Sequence, residues 1–150
     1  MLLLLIFLPF IETISKKFNA PVNLLVKKSS KADQYLSRTD YLDKIIFLER
    51  DNKKEGRHNG IIGSFRLAQD LKKYEFDKIF IFNSSLRFNL VSRLANIKEI
   101  YQYPLFTKTN QHIIQPAKDL IKKNLGIDVV KNPQIQISNN LIKKAIVEYN

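Results

Sequence analysis

Asn83, Ser84 and Ser85 lie between an unbroken apolar run, Ile79-Phe80-Ile81-Phe82, and a segment of helical spacing that opens with Leu86 and Arg87. Asn and Ser side chains accept hydrogen bonds from the open N–H groups of a helix start. Arg87 would then sit in the first turn of that helix, where its guanidinium could pair bidentately with a carboxylate or phosphate. The chemistry implied is recognition of an anion at a strand end. Ser84 and Ser85 serve either as simple caps or as ligands to that anion. The chain's two histidines, His58 and His112, have no clustered carboxylate partner, so metal ligation is not expected. A Gly-rich phosphate loop, a GxSxG elbow and an HExxH helix are all absent from the sequence.

The elements that would hold these residues follow from periodicity. A run apolar on both faces reads as a strand covered on both sides. Leu86, Leu90, Val91 and Leu94 recur at helical spacing, and 97–101 reads as a second short strand. Strand, polar turn, helix and strand make a βαβ unit, in which ligands bind beyond the carboxyl ends of the strands.

Upstream, the apolar stretch Met1 to Phe10 reads as the buried part of a helix running to Phe18, with a kink or late start at Pro9. It is too short to span a membrane and lacks the basic opening of a signal peptide. Asn19-Ala20-Pro21 turns the chain into a strand at 22–26. A short helix through Leu36 and a buried strand at 45–48 follow. Residues 49–59 form a charged loop holding Arg57 and His58. From Gly60 a helix is expected to carry Ile61, Ile62, Phe65, Ala68 and Leu71 inward. After Pro104 come a polar loop, a helix from about 111 to 125 stopped by Gly126, an edge strand at 134–137 and a last helix from Asn139-Asn140. The fold class expected is α/β: one three-layer Rossmann-like domain over residues 1–150 with a mostly parallel sheet, strands 45–48 and 78–82 lying inside it.

The net charge of +11 invites a polyanion partner, yet 19 of the 25 basic residues are Lys, and the chain also holds 19 Ile and 13 Asn. All three residue types are read from A/T-rich codons, and the lysines fall in pairs along the whole chain as solvated faces do. Phe47, Phe65, Phe80 and Phe82 sit in apolar runs, unlike the exposed aromatics of a single-strand binder. No nucleic acid is expected. There is no cysteine, so neither disulfides nor thiolate metal sites arise.

The order of weak motifs carries a resemblance: a Pro-containing helix ending in KKF-x-AP before NLLV, then YLDKIIFLER, then LKKYEFDKIFIFNSSLRFNLVSRLANIKEIYQYP, then His112 leading to LGI and P-x-I-x-I. This resembles the N-terminal half of the ADP-heptose:lipopolysaccharide heptosyltransferases, the family 9 glycosyltransferases, over most of the chain. The resemblance implies a GT-B enzyme that transfers a heptose from a nucleotide sugar to a lipopolysaccharide core acceptor, with this chain as the acceptor-binding half. It implies Arg57, His58, Ser84, Ser85, Arg87 and His112 on the acceptor side. The donor, ADP-heptose, would be held by a second domain, with no other cofactor. The location implied is cytoplasmic, with peripheral contact at the anionic inner face of the inner membrane. The family begins with a strand and a Gly-Asp loop whose Asp resembles a general base, so the chain reads as truncated at both ends and inactive alone, with no catalytic residue of its own. A strand lost from the sheet centre should leave Leu2, Leu4, Leu5 and Phe7 short of cover. Where the family often has Gly before a Tyr, this chain has Gln102. The alternatives are a basic Rossmann-like module that binds an anionic partner or nucleic acid without catalysis, and a degenerate product with no activity.

Overall fold

The computed structural model describes residues 6–36, 39–50, 56–105 and 114–130, Tyr35 by its backbone alone. His112, Leu2, Leu4, Leu5 and the elements expected at 134–137 and beyond lie outside the described residues.

Helix α1 (Leu8–Phe18) starts late, with Pro9 in its first turn, where a missing N–H costs no helical bond. It ends at Asn19 in the left-handed region (φ 48°). Strand β1 (Val22–Lys27) follows, then a 3-10 turn (Lys28–Ser30) and the short helix α2 (Ala32–Leu36). Strand β2 (Leu42–Leu48) pairs with β1 in parallel, Leu24 opposite Ile45 through Lys27 opposite Leu48, with a register shift between Val22 and Leu24. Helix α3 (Gly60–Lys72), strand β3 (Lys78–Ile81), helix α4 (Leu86–Leu94) and strand β4 (Glu99–Gln102) form the next unit. There β3 pairs with β4 in parallel, Lys78 opposite Glu99 through Ile81 opposite Gln102. Helix α5 (Ile114–Leu125) closes the described chain, with Gly126 beyond it at φ +70°.

The layers follow from strand alternation. Leu25, Ile46 and Ile79 meet Leu67, Leu71 and Val91 of α3 and α4 on one face. Val22, Leu24 and Val26 meet Leu8 and Ile11 of α1 and Leu36 of α2 on the other. Phe80 and Phe82 pack there against Phe10 and Ile14 of α1 and Ile121 of α5. Helices therefore cover both faces of parallel strands, as a three-layer Rossmann-like α/β domain requires.

Two expectations are corrected. Among the described residues β1 bonds only to β2 and β3 only to β4, so 45–48 and 78–82 are not inner strands of one continuous sheet. An apolar run on both strand faces reports helices above and below; it says nothing about hydrogen-bonded neighbours at the edges. In α3, Ile61, Ile62 and Phe65 face out, with Ile61 79% exposed, while Gly63, Leu67, Ala68 and Leu71 face in. The reason is a close approach at Gly63: a Cβ built there would lie 2.2 Å from the carbonyl carbon of His58. Only the Gly63 stripe can turn toward the chain, and the isoleucines are rotated into solvent.

Candidate functional site

The turn between β3 and α4 is built by its own polar side chains. The Ser85 N–H donates to Asn83 Oδ1 at 2.9 Å, an Asx turn that sets up the helix start. Ser85 is the residue at the helix boundary, but its hydroxyl makes no capping bond. Asn83 thus has the ordering role that the sequence shared among all three residues. Gln102, at the end of β4, fastens this turn from the side. Its Nε2 donates to the carbonyls of Asn83 (3.0 Å) and Ser85 (2.9 Å), and its Oε1 accepts from Asn89 Nδ2 at 3.0 Å. A glycine at 102 could make none of these bonds.

Arg87 lies half-buried in the first turn of α4 and donates a terminal N–H to the carbonyl of His58, joining the α4 start to the loop before α3. Its Nε is buried without a hydrogen-bond partner. Burial and the charge of Arg50 both press its pKa below the ordinary arginine value. The first turn of α4 holds no acidic residue, so the guanidinium adds to the positive end of the helix dipole instead of offsetting it. Arg50, Arg87 and the α4 N-terminus together form a positive centre beyond the carboxyl ends of β2 and β3.

Arg57 and His58 serve a different purpose. His58 is buried, 3% exposed. The backbone N–H of Glu49 donates to its Nδ1 at 3.0 Å, and a backbone N–H can only donate, so the ring proton sits on Nε2. That Nε2 faces Asp70 Oδ2 at 3.2 Å. The His58 N–H also donates to the Glu49 carbonyl at 3.2 Å, which closes the loop at its base. Arg57 grips Asp70 with two bonds of 3.0 Å, and Lys73 Nζ adds a third donor residue at 3.1 Å. Burial pushes the Asp70 carboxyl up, but the bonds from His58, Lys73 and Arg57 outweigh it and hold the pKa down at about 2. The loop is thereby clipped to α3, and its clip presents the His58 carbonyl to Arg87.

The structure therefore brings Ser84, Ser85 and Arg87 together at one strand end, with His58 behind Arg87 and Arg57 turned toward Asp70. Asp70, Arg50, Asn89 and Gln102 complete the arrangement and were not singled out as site residues from sequence. Asp70 stands 12 residues from His58 in the chain, and no local pattern links them. Among the described residues no cluster of His, Cys, Asp and Glu could hold a metal ion, and no helix is long and apolar enough to cross a membrane.

No protein-family model and no curated protein matches this chain. Its fold is similar to a solved structure, the glycosyl transferase family 9 from Veillonella parvula DSM 2008, with a TM-score of 0.69 and 16% sequence identity. The likeness covers 97% of this chain and 45% of that one, so the chain spans less than half the length of its structural neighbour.

Proposed function

We propose that this chain is the acceptor-side domain of a family 9 type glycosyltransferase, which moves a heptose from a nucleotide sugar onto an anionic lipopolysaccharide core sugar. The fold it shares with a family 9 glycosyl transferase over nearly its whole length is the observation that carries the reading. The positive centre at Arg87 and Arg50 supports it, because an acidic core sugar needs such a site at the carboxyl ends of the strands. Arg87 offers the charge of its guanidinium and the α4 N-terminus offers backbone N–H groups to one carboxylate or phosphate. Ser84 and Ser85 border the same turn and contribute hydroxyls. His112, outside the described residues, is included as an acceptor ligand on the resemblance alone. Arg57 and His58 act from behind, as the scaffold that sets the His58 carbonyl and hence the Arg87 guanidinium.

In this reading the residues bind and orient. Glycosyl transfer needs an acceptor hydroxyl, a general base and a donor held together. Asp70 is not that base, because its oxygens are saturated by Arg57, His58 and Lys73. The donor, ADP-heptose, is held by a separate domain, and the enzyme works in the cytoplasm against the inner face of the membrane. The test is a calorimetric titration of an anionic core oligosaccharide into the chain. A charge-assisted contact contributes about 1.5–3 kcal/mol, so Arg87→Ala should weaken binding roughly 10- to 100-fold, while Arg87→Lys should weaken it less. Equal affinity in the folded Arg87→Ala variant would remove the site assignment.

A further inference from the structure

Gln102 ends β4, and both ends of its amide are engaged. Its Nε2 faces the Asn83 and Ser85 carbonyls, which can only accept, so its Oε1 is left to the Asn89 Nδ2 donor. Asn89 is fixed in turn, because Arg93 Nε donates to its Oδ1 at 2.9 Å. Guanidinium, amide, amide and carbonyls thus form one chain of donors aimed at the turn before α4. The charged donor at its head polarises the bonds that follow.

Pinning those two carbonyls also sets two N–H groups. A trans peptide is planar, so the C=O of one residue and the N–H of the next point in opposite directions. Gln102 draws the carbonyls of Asn83 and Ser85 toward β4, and the N–H groups of Ser84 and Leu86 therefore point away from β4. Both residues are exposed, and neither N–H has an acceptor among the described residues. Strand β3 has β4 on one edge and faces β1 from the other, and Arg50 follows β2, which pairs with β1. The two free N–H groups thus lie on the side of Arg50.

We infer that Gln102 is the positioning residue of the acceptor site, holding the N–H groups of Ser84 and Leu86 toward the acceptor's carboxylate or phosphate beside Arg87. This role rests on the acceptor reading proposed above. Gln102 does not touch the anion, because its own N–H groups are taken up by the two carbonyls. It works by removing freedom from the turn. Without it, the Asn83 and Ser85 carbonyls can swing round to the anion's side, where their oxygens repel it. Asn89 and Arg93 act through Gln102, from the far side of the turn.

The test compares Gln102→Ala, the isosteric Gln102→Glu and the Gln102→Ala/Asn89→Ala pair with wild type, each first shown to be folded by its melting curve. Residual dipolar couplings of the Ser84 and Leu86 amides, measured without ligand, report the directions of these N–H groups. They should change in every variant, while those of α3 and β1 stay as in wild type. In a calorimetric titration with the anionic core oligosaccharide, Gln102→Ala should bind about 2- to 10-fold more weakly, since a loosened turn must be ordered on binding. Gln102→Glu should bind more weakly still, because a carboxylate cannot donate to the two carbonyls. Adding Asn89→Ala to Gln102→Ala should bring no further loss, because Asn89 acts through the side chain already removed. A purely structural role would lower the melting temperature and leave the couplings and the affinity of the folded protein unchanged, and that result overturns the proposal. Weakened binding in Arg87→Ala beside wild-type binding in Gln102→Ala overturns this role and leaves the acceptor reading standing. Absence of binding by wild type overturns both.

Discussion

Replacing Asp70 with Asn tests whether the loop clip organises the site. The change keeps the shape but removes the charge, and the new Nδ2 group would face the donors of Arg57 or His58. The buried His58 Nε2–H then lacks a charged acceptor, which costs about 1–3 kcal/mol. The Arg57 and Lys73 pairs are 48% and 72% exposed on their basic sides, so each adds only about 0.2–1 kcal/mol. The expected loss at neutral pH is about 2 kcal/mol, read as a fall in the urea midpoint. The pH profile has a definite sign. A carboxyl whose folded pKa lies below its ordinary 3.8, at about 2, stabilises the fold fully above the ordinary value and loses that stabilisation as pH falls toward 2. The gap converts to roughly 2.4 kcal/mol, and solvent screening of the exposed partners reduces it to about 1 kcal/mol. The stability difference between wild type and Asp70→Asn should therefore be constant above pH 5 and narrow by about 1 kcal/mol between pH 4 and pH 2. Parallel curves over that interval would refute the idea that Asp70 is held ionised by its three neighbours.

Other consequences follow from particular contacts. Gly63→Ala should destabilise by about 2–3 kcal/mol, because its Cβ would overlap the His58 backbone; a urea curve checks it, and a neutral result would mean the helix and loop slide apart freely. Gln102→Ala removes bonds to Asn83, Ser85 and Asn89 and should cost about 1–2 kcal/mol, with faster exchange of the Ser85 amide. Leu67→Ala should cost about 2–5 kcal/mol, whereas Ile61→Lys should stay within about 0.5 kcal/mol; thermal melts of the pair test which face of α3 is buried.

The elements of the domain were largely legible because each carries its own period. The run Ile79 to Phe82, the polar turn and the leucine spacing after it predict β3 and α4 correctly. The inward face of α3 was not legible. That helix is apolar on more than one stripe, and the choice between them was made by Gly63 meeting His58, a contact that spacing along the helix does not encode. Arg87 was readable as a cation at a strand end, but not its bond to the His58 carbonyl 29 residues away. Gln102 stood out as a departure from a glycine, although its three hydrogen bonds exist only once β4 lies beside the α4 start.

An amide NMR titration with an anionic core oligosaccharide tests the proposed acceptor role most directly. Shifts should concentrate on Asn83, Ser84, Ser85 and Arg87, extend to Arg50, and shrink as salt screens the charges. Shifts confined to the scattered lysine pairs, or none at saturating oligosaccharide, would contradict it.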